Sequence, residues 1–226
     1  MKTIAIIPCH NEAKHIADVV GKARQHVDAV WVIDDHSDDD NKYLADAAGA
    51  TVISSNLSRG VGMAVKHGII IVSRIENPDI IVLLDGDGQH DADEIPKLIA
   101  PIIQEQADIV IGQRLGGYMP LYRRFGNKVL SVVCNIGASF KPQDAMSGFW
   151  AISTKAMPEL TENKWGFAVE LLIKTRAKGW RMMGVPIKAI YHKDYKDNST
   201  ISPLKLGLLL LWMIIKWRVK VEVLKQ

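Results

Sequence analysis

The sequence contains few cysteines, no long apolar run and little net charge. Its 226 residues include two cysteines, Cys9 and Cys134, which excludes a disulfide framework and is typical of a reducing compartment. The longest uncharged run near the C-terminus, 206–215, has ten residues, whereas a membrane-spanning helix needs about 20 apolar residues. We therefore expect no membrane span. Because Met1 is followed almost directly by a strand pattern, we also expect no signal peptide.

Charge is small in total and uneven along the chain. The net charge of +3 gives no reason to expect a nucleic-acid partner. Residues 193–226 contain seven basic and three acidic side chains, so this segment carries +4 and the rest of the chain −1. The length, with 48% hydrophobic residues, fits one globular domain with a sizeable core.

Strand and helix patterns alternate through the first half of the chain and become less regular in the second. This order predicts an α/β fold, with a mostly parallel sheet and helices on both faces. The predicted strands are 3–7, 29–33, 52–53, 79–84, 108–112, 148–153 and 182–191. The predicted helices are 12–26, 38–48 (with Ser37 as N-cap), 62–74, 96–106, 121–139 and 167–178, followed by a tail helix at 204–219.

The segment 85–90 follows the apolar strand 79–84 and contains the densest set of chemical groups. Asp85 and Asp87 are two residues apart, so they share a face of an extended chain. Open α/β sheets bind ligands at the carboxyl ends of their strands. Two carboxylates beside the amide of Gln89 suit a hard divalent cation, Mg²⁺ or Mn²⁺. The acids that follow are interpreted as caps of the next helix; they are Asp91, Asp93 and Glu94.

Six motifs occur in an order that resembles the inverting glycosyltransferase family 2, which has the GT-A fold. Within the family, the Asp-x-Asp-x-Gln-His pattern and the later Ser-Gly-Phe resemble dolichyl-phosphate mannose synthases and related polyprenyl-phosphate glycosyltransferases. The resemblance covers about residues 3–192. The motifs are Pro8-Cys9-His10-Asn11-Glu12, Val32-Ile33-Asp34-Asp35-His36-Ser37-Asp38, Arg59-Gly60-Val61-Gly62, Asp85-Gly86-Asp87-Gly88-Gln89-His90, Gly112-Gln113-Arg114 and Ser147-Gly148-Phe149.

The resemblance implies roles on the donor side. Asp87 and Gln89 would hold the metal, and Asp85 would contact the donor sugar or orient the site. Glu12 fits either a nucleoside contact or a partner of the helix dipole, and the glycine-rich turn fits either a diphosphate cradle or an ordinary turn. His36 stands where the family usually has glycine. The implied nucleotide-binding residues are Pro8, Asn11, Glu12, Asp34, Asp35, Arg59 and Gly60.

Other residues are assigned to the acceptor side. Guanidinium groups suit a phosphate better than a sugar hydroxyl, and a basic pair at a helix start opposes the helix dipole, so we expect an anionic acceptor. An exposed basic surface is the alternative. The acceptor-binding candidates are Arg123, Arg124 and Ser147, and the catalytic candidates are Asp85, Asp87, Arg114 and Asp144, the last of which also fits a role in positioning an arginine.

By resemblance, the chain is expected to move a hexose from GDP-mannose or a UDP-sugar to a polyprenyl or dolichyl phosphate, with inversion. A glycan or soluble hydroxyl acceptor, and a non-catalytic nucleotide-sugar-binding subunit, stay open as alternatives. The expected catalytic domain is 1–203, with a nucleotide-sugar half (1–112) and an acceptor half (113–203). A mobile loop around 192–199 is expected to close over the substrates.

Residues 204–226 form the last predicted unit, an apolar and basic helix. Trp212 and Trp217 suit the headgroup region of a bilayer, so the helix is expected to lie on a membrane. Packing on the domain, against a second copy or against a membrane subunit is the alternative. Together with the reducing compartment, this predicts a peripheral protein on the cytoplasmic face of a membrane.

Overall fold

Seven strands form one sheet in the computed structural model, which describes residues 1–117, 121–164, 166–190 and 203–225. The sheet order is β3-β2-β1-β4-β6-β5-β7. The strands are β1 (Thr3–Cys9), β2 (Ala29–Asp34), β3 (Thr51–Ser54), β4 (Ile80–Leu83), β5 (Ile109–Gly117), β6 (Trp150–Ser153) and β7 (Met182–Ala189). The helices are α1 (Ile16–Ala23), α2 (Asn41–Ala47), α3 (Val61–Ile75), α4 (Ile95–Ile103), α5 (Leu121–Asn135), α6 (Phe167–Ala177) and α7 (Pro203–Arg218).

The sheet is mostly parallel, as the sequence predicts. Strands β1 to β4 pair in parallel with one another, and β5 pairs in parallel with β7. Strand β6 runs antiparallel between β4 and β5. Strands β1 and β4 are buried along their whole length, because helices cover both faces. The carboxyl ends of β1, β2 and β4 therefore meet at one edge of the sheet.

Helices cover the two faces in separate groups. Helices α1, α2 and α4 pack on one face, and α3, α5, α6 and α7 pack on the other. In α1 the buried residues are Ile16, Val19, Val20 and Ala23, the helical spacing that the sequence predicts. Each helix group shields one side of the same sheet edge, so the loops at that edge open between two helical layers.

Several predicted boundaries are wrong. Helix α1 begins at Ile16, because residues 12–15 form a turn, and α2 begins at Asn41 with Asp40 rather than Ser37 at its N-cap. Pro8 does not end β1, which continues to Cys9. Beyond Ile6 only β2 pairs with β1, and a proline is tolerated where one side of a strand is unpaired.

The C-terminal helix packs on the domain along one side. Trp217 is almost completely buried, and its indole N–H donates to Glu162 Oε1 at 3.0 Å. Lys216 Nζ lies 2.5 Å from the same oxygen. Among the described residues, we find no helix that is long and apolar enough to cross a membrane.

Candidate active site

Strand β4 delivers Asp85, Asp87 and Gln89 to the sheet edge as a compact group. Gln89 Nε2 donates to Asp87 Oδ2 at 2.6 Å, and the backbone N–H of Gln89 donates to Asp87 Oδ1 at 2.9 Å. Gln89 is buried, and its backbone carbonyl oxygen accepts a hydrogen bond from the backbone N–H of Ile190, just after β7. The side chain of Asp85 is 38% exposed. The two residues that the sequence assigns to a metal are thus held together beside an accessible carboxylate.

Three carboxylates near this group repel one another. Burial and the charges of Asp87 and Asp85 raise the pKa of Glu12 to about 8. Although Asp85 is partly exposed, the surrounding protein desolvates its carboxylate; this and the charge of Asp87 raise the pKa of Asp85 to about 7, and burial also raises the pKa of Asp87. A divalent cation would relieve this repulsion, so the donor set fits Mg²⁺ or Mn²⁺.

The protein alone supplies few ligands for such an ion. Within the described ranges, no three His, Cys, Asp or Glu side chains are arranged to hold a metal. The available donors are a carboxylate pair and one amide. This small set fits a magnesium-like ion, which normally keeps water or substrate phosphate oxygens in its coordination shell.

Arg114 and Asp144 form a buried pair beside the carboxylates. Arg114 Nε lies 2.6 Å from Asp144 Oδ2, and a second guanidinium nitrogen lies 3.0 Å from Oδ1. The guanidinium also donates to the carbonyl oxygen of Met146 at 3.2 Å. The charge of Arg114 lowers the pKa of both Asp85 and Asp87, which opposes the effect of burial. The structure therefore brings the four predicted catalytic residues into one electrostatic group.

Gly148 and His90 enclose Asp85. A Cβ atom on Gly148 would lie 2.5 Å from Asp85 Oδ2, so the Ser-Gly-Phe turn has no room for a side chain there. His90 Nδ1 lies 3.6 Å from the same oxygen, and its ring packs 5.3 Å from the ring of Phe149. Burial and the charge of Arg114 lower the pKa of His90 to about 3, so His90 is neutral. These residues line the space around Asp85 without adding charge.

The aspartates at the end of β2 are held by hydrogen bonds within the protein. Asp34 Oδ1 accepts from the Ser37 hydroxyl at 2.5 Å and from Asn41 Nδ2 at 2.9 Å. Asp35 accepts from the Ser58 hydroxyl and from the backbone N–H groups of two further residues, Arg59 and Gly60, both at 2.8 Å. Both aspartates are buried. They hold the loops around the sheet edge in place.

The loops after β1 and β2 are joined through Asn11. Its backbone N–H donates to Ser37 Oγ, and its side-chain oxygen accepts the N–H of Asp38, both at 2.8 Å. His36 adopts a φ of 65°, in the left-handed region that favours glycine. This explains why the related family has glycine at that position. The turn is kept here at the cost of strain on a non-glycine residue.

The glycine-rich turn before α3 is less open than the sequence suggests. The N–H groups of Arg59 and Gly60 are donated to Asp35, so they do not face a ligand. Gly60 has a φ of 94°, and a Cβ atom there would lie 2.9 Å from the carbonyl oxygen of Asn163. The exposed Arg59 side chain is the part of this turn that faces outwards.

Segment 161–164, which sequence reasoning missed, packs on this turn. The carbonyl oxygen of Asn163 accepts the N–H of Met63 at 3.0 Å. The buried carboxylate of Glu170 accepts the N–H groups of Thr161 and Glu162 at 2.8 Å. The sequence signal for this segment is Glu170, a single acid in the apolar pattern of α6. A buried carboxylate needs hydrogen-bond donors, and segment 161–164 supplies them. Here those partners belong to segment 161–164, so Glu170 is a structural residue.

The predicted acceptor residues are spread over several environments. Arg124 is exposed near the start of α5. Ser147 is fully buried, and its hydroxyl accepts the N–H of Phe149 at 3.3 Å, so it shapes the turn and does not face a substrate. The side chain of Arg123 and the predicted loop at 192–199 lie outside what the structure describes.

The chain is similar in sequence to known glycosyltransferases. The model of the family described as glycosyl transferase family 2 matches residues 4–160. A UDP-N-acetylglucosamine–dolichyl-phosphate N-acetylglucosaminyltransferase from Methanococcus voltae is 30% identical over 213 residues, which cover 82% of this chain and 84% of that protein. Glycosyltransferase AglJ from Haloferax volcanii is 31% identical over 211 residues, which cover 89% of this chain and 67% of AglJ.

Solved structures share the fold at lower identity. Glucosyl-3-phosphoglycerate synthase from Mycobacterium tuberculosis, in complex with Mn²⁺, uridine diphosphate and phosphoglyceric acid, superposes with a TM-score of 0.72. The identity is 20%, and the match covers 97% of this chain and 78% of the synthase. At this identity the likeness concerns the fold.

Proposed function

The chain belongs to glycosyl transferase family 2, and from that premise we propose that it is a metal-dependent, inverting glycosyltransferase that acts on a phosphorylated lipid. The proposed donor is a nucleotide diphosphate sugar, GDP-mannose or a UDP-sugar. The proposed acceptor is a polyprenyl or dolichyl phosphate. The observation that carries the proposal is the group formed by Asp85, Asp87, Gln89 and the Arg114–Asp144 pair at the end of β4.

On the donor side, Asp87 and Gln89 would hold the divalent cation. When bound, that cation supplies a Lewis acid that neutralises charge on the departing nucleoside diphosphate. Asp85, which lies against Gly148 and beside His90, orients the donor sugar. Asn11, Glu12 and Arg59 contact the nucleotide, whereas Asp34 and Asp35 hold the loops that carry them.

The acceptor side lacks an available base at its predicted carboxylate. Asp144 is 5% exposed and bonded through both oxygens to Arg114, so its role is to position that arginine. A phosphate acceptor is already ionised near neutral pH and needs no such base. Its oxygen forms a bond to the anomeric carbon while the bond from that carbon to the diphosphate breaks on the opposite face. Arg124 and Arg123 would hold the phosphate.

The relatives support a phosphate-bearing acceptor. The Methanococcus voltae relative is named for dolichyl phosphate. The structural neighbour from Mycobacterium tuberculosis binds phosphoglyceric acid, which also carries a phosphate. We favour the lipid because the sequence relatives cover most of both chains at about 30% identity, whereas the structural likeness reports the fold alone. Its acceptor would place the protein at the cytoplasmic face of a membrane.

The test is a transfer assay with Mn²⁺ and three donors, GDP-mannose, UDP-glucose and UDP-N-acetylglucosamine. Each donor is offered with a short-chain polyprenyl phosphate, with 3-phosphoglycerate and with a sugar hydroxyl acceptor. We expect product with the polyprenyl phosphate, with the anomeric configuration inverted by NMR. Product with only the hydroxyl acceptor would overturn the acceptor assignment. Nucleotide binding without any turnover would instead support a non-catalytic subunit.

A further inference from the structure

Helices α5 and α7 each carry a row of exposed apolar side chains that the proposed chemistry does not use. In both helices the exposed residues follow the spacing i, i+4, i+7, i+11, which keeps them within about 60° of one another around the helix axis. Each of the eight side chains is between 44% and 72% exposed. The α5 row is Phe125, Val129 and Val132, continued by Ile136 directly after the helix, and the α7 row is Leu208, Trp212 and Ile215, continued by Val219 directly after the helix.

The two rows lie side by side. Opposite its exposed row, α5 buries Leu130 and Cys134, and α7 buries Ile214 and Trp217, all in the same hydrophobic cluster. The two helices also contact each other, and Arg218 of α7 donates to the carbonyl oxygen of Val133 at 3.3 Å. Two adjacent helices that turn their buried sides to one core present their outer sides on one surface. We call these eight residues the apolar face.

Positive charge surrounds the apolar face. Helix α5 carries three basic residues and no acid, and residues 203–226 carry five basic residues and one acid, Glu222. Glu222 is paired with Arg218 at 2.9 Å. The two segments thus carry +3 and +4, although the whole chain carries +3, so the remainder is net acidic. Of the described basic residues in these segments, Arg124, Lys128, Lys205 and Lys225 are exposed.

We propose that the apolar face is a membrane-docking surface, in which α5 and α7 together lie on an anionic bilayer. Apolar side chains would enter the boundary between headgroups and acyl chains, Trp212 would sit at headgroup level, and the surrounding cations would attract anionic lipid. A second copy of the chain is a poorer occupant. A symmetric contact brings the same surface to itself, and two strongly basic surfaces would repel each other.

This inference deepens the proposed function and rests on it. Helix α5 begins with the arginines proposed to hold the acceptor phosphate. A lipid phosphate in the membrane surface would then be presented to the helix that lies on that surface. The role of α5 is the new element, because the sequence assigns membrane contact to the tail alone.

Vesicle flotation tests the surface with the full-length protein. We compare vesicles of phosphatidylcholine alone with vesicles that contain phosphatidylglycerol. The wild-type protein is expected to float with the anionic vesicles, and less so as salt is raised. Val129→Asp with Val132→Asp in α5, and Leu208→Asp with Trp212→Asp in α7, should each reduce binding by at least about tenfold. The matched control is Tyr43→Asp with Ile103→Asp, two exposed apolar residues on the opposite helix group; it should bind as the wild type does.

The flotation results distinguish a two-helix membrane surface from membrane contact by α7 alone and from a dimer interface. If the α7 variant loses binding and the α5 variant does not, the two-helix surface is refuted. If the wild type stays unbound and light scattering shows a dimer that both variants dissociate, a second copy occupies the face. Circular dichroism checks that the variants are folded, and transfer to a short-chain polyprenyl phosphate in detergent should persist in them. Failure of that transfer in the wild type, with flotation intact, would count against the proposed function and not against the surface.

Discussion

Strands β2 and β4 lie in one sheet and both end in aspartates, but their environments differ. Asp34 and Asp35 are buried and accept short hydrogen bonds from side chains and backbone N–H groups of the neighbouring loops. Among the described residues, Asp87 accepts hydrogen bonds from Gln89 alone; Asp85 and Asp87 lie near Glu12, and desolvation raises the pKa of both. The acids at the end of β2 are held by donors from several loops, whereas the acids at the end of β4 repel one another, and a divalent cation would relieve that repulsion.

Structural acids and ligand-binding acids at a sheet edge therefore differ in their hydrogen-bond partners and in their mutual repulsion. A structural acid gains donors from its own chain and stabilises the fold. A ligand-binding acid lies close to other carboxylates, and these carboxylates repel one another until a cation binds between them. Substitution can therefore distinguish the two pairs. Removing a β2 carboxylate should lower the stability of the fold, whereas removing a β4 carboxylate should lower enzymatic activity.

The largest effect is expected for Asp87→Asn. The substitution keeps the size of the side chain and removes the charge that would hold the cation, so transfer should fall by about three orders of magnitude or more. Thermal stability should be unchanged or slightly higher, because repulsion with Asp85 and Glu12 is removed. Steady-state kinetics and calorimetry on the same preparation measure both. Near-normal turnover would show that Asp87 is not a metal ligand.

A smaller loss of activity is expected for Gly148→Ala. Its new Cβ would lie 2.5 Å from Asp85 Oδ2 and push the carboxylate aside. Displacement of a reacting or orienting group by about 1 Å costs about a hundredfold in rate, so we expect a loss of ten- to a hundredfold. Gly21→Ala is the control, because a Cβ there meets nothing within 4 Å. Equal activity in the two variants would show that Gly148 does not control the position of Asp85.

For the β2 pair, the expected effect is on stability. Asp35→Asn weakens the charged acceptor of the Ser58, Arg59 and Gly60 donors, so the free energy of unfolding should drop by about 1.5–3 kcal/mol. Urea denaturation measures it. Asp38→Asn, at an exposed position in the same loop, should change it by no more than about 0.5 kcal/mol. A stable Asp35→Asn protein that has lost nucleotide affinity would instead make Asp35 a direct ligand.

The smallest effect is a pH dependence of the metal-free protein. The folded-state pKa of Glu12, about 8, lies above its ordinary value of 4.5. Between pH 4.5 and 8 the folded protein therefore binds more protons than the unfolded chain does. Stability should therefore fall as pH rises through this window. Glu12→Gln should make the melting temperature less dependent on pH between about 5 and 8. A variant with the same slope as the wild type would contradict the assignment.

Sequence reasoning located the β4 group because an apolar run followed by two spaced acids is a local pattern. It also placed the mostly parallel sheet, since that follows from the order of strands and helices. It did not separate the β2 pair from the β4 pair. Asp35 depends on donors that lie more than 20 residues away, and local pattern does not reveal them.

Contacts between distant segments account for the remaining differences. Segment 161–164 reaches the turn at Gly60 through Asn163, about a hundred residues along the chain, and no motif marks it. The role of Gly148 depends on its distance from Asp85 and not on backbone conformation. The row on α5 was present in the sequence as a helical pattern, but its exposure depends on which face the core covers.

The most direct test of the account is a calorimetric titration of uridine and guanosine diphosphates into the protein, with and without Mn²⁺. It compares the wild type with Asp87→Asn and with Asp38→Asn. We predict that tight binding of one nucleotide requires Mn²⁺, disappears in Asp87→Asn and is unchanged in Asp38→Asn. Binding that is equally tight without a divalent cation, or in Asp87→Asn, would contradict the claim that the carboxylates at the end of β4 hold a cation for a nucleotide diphosphate.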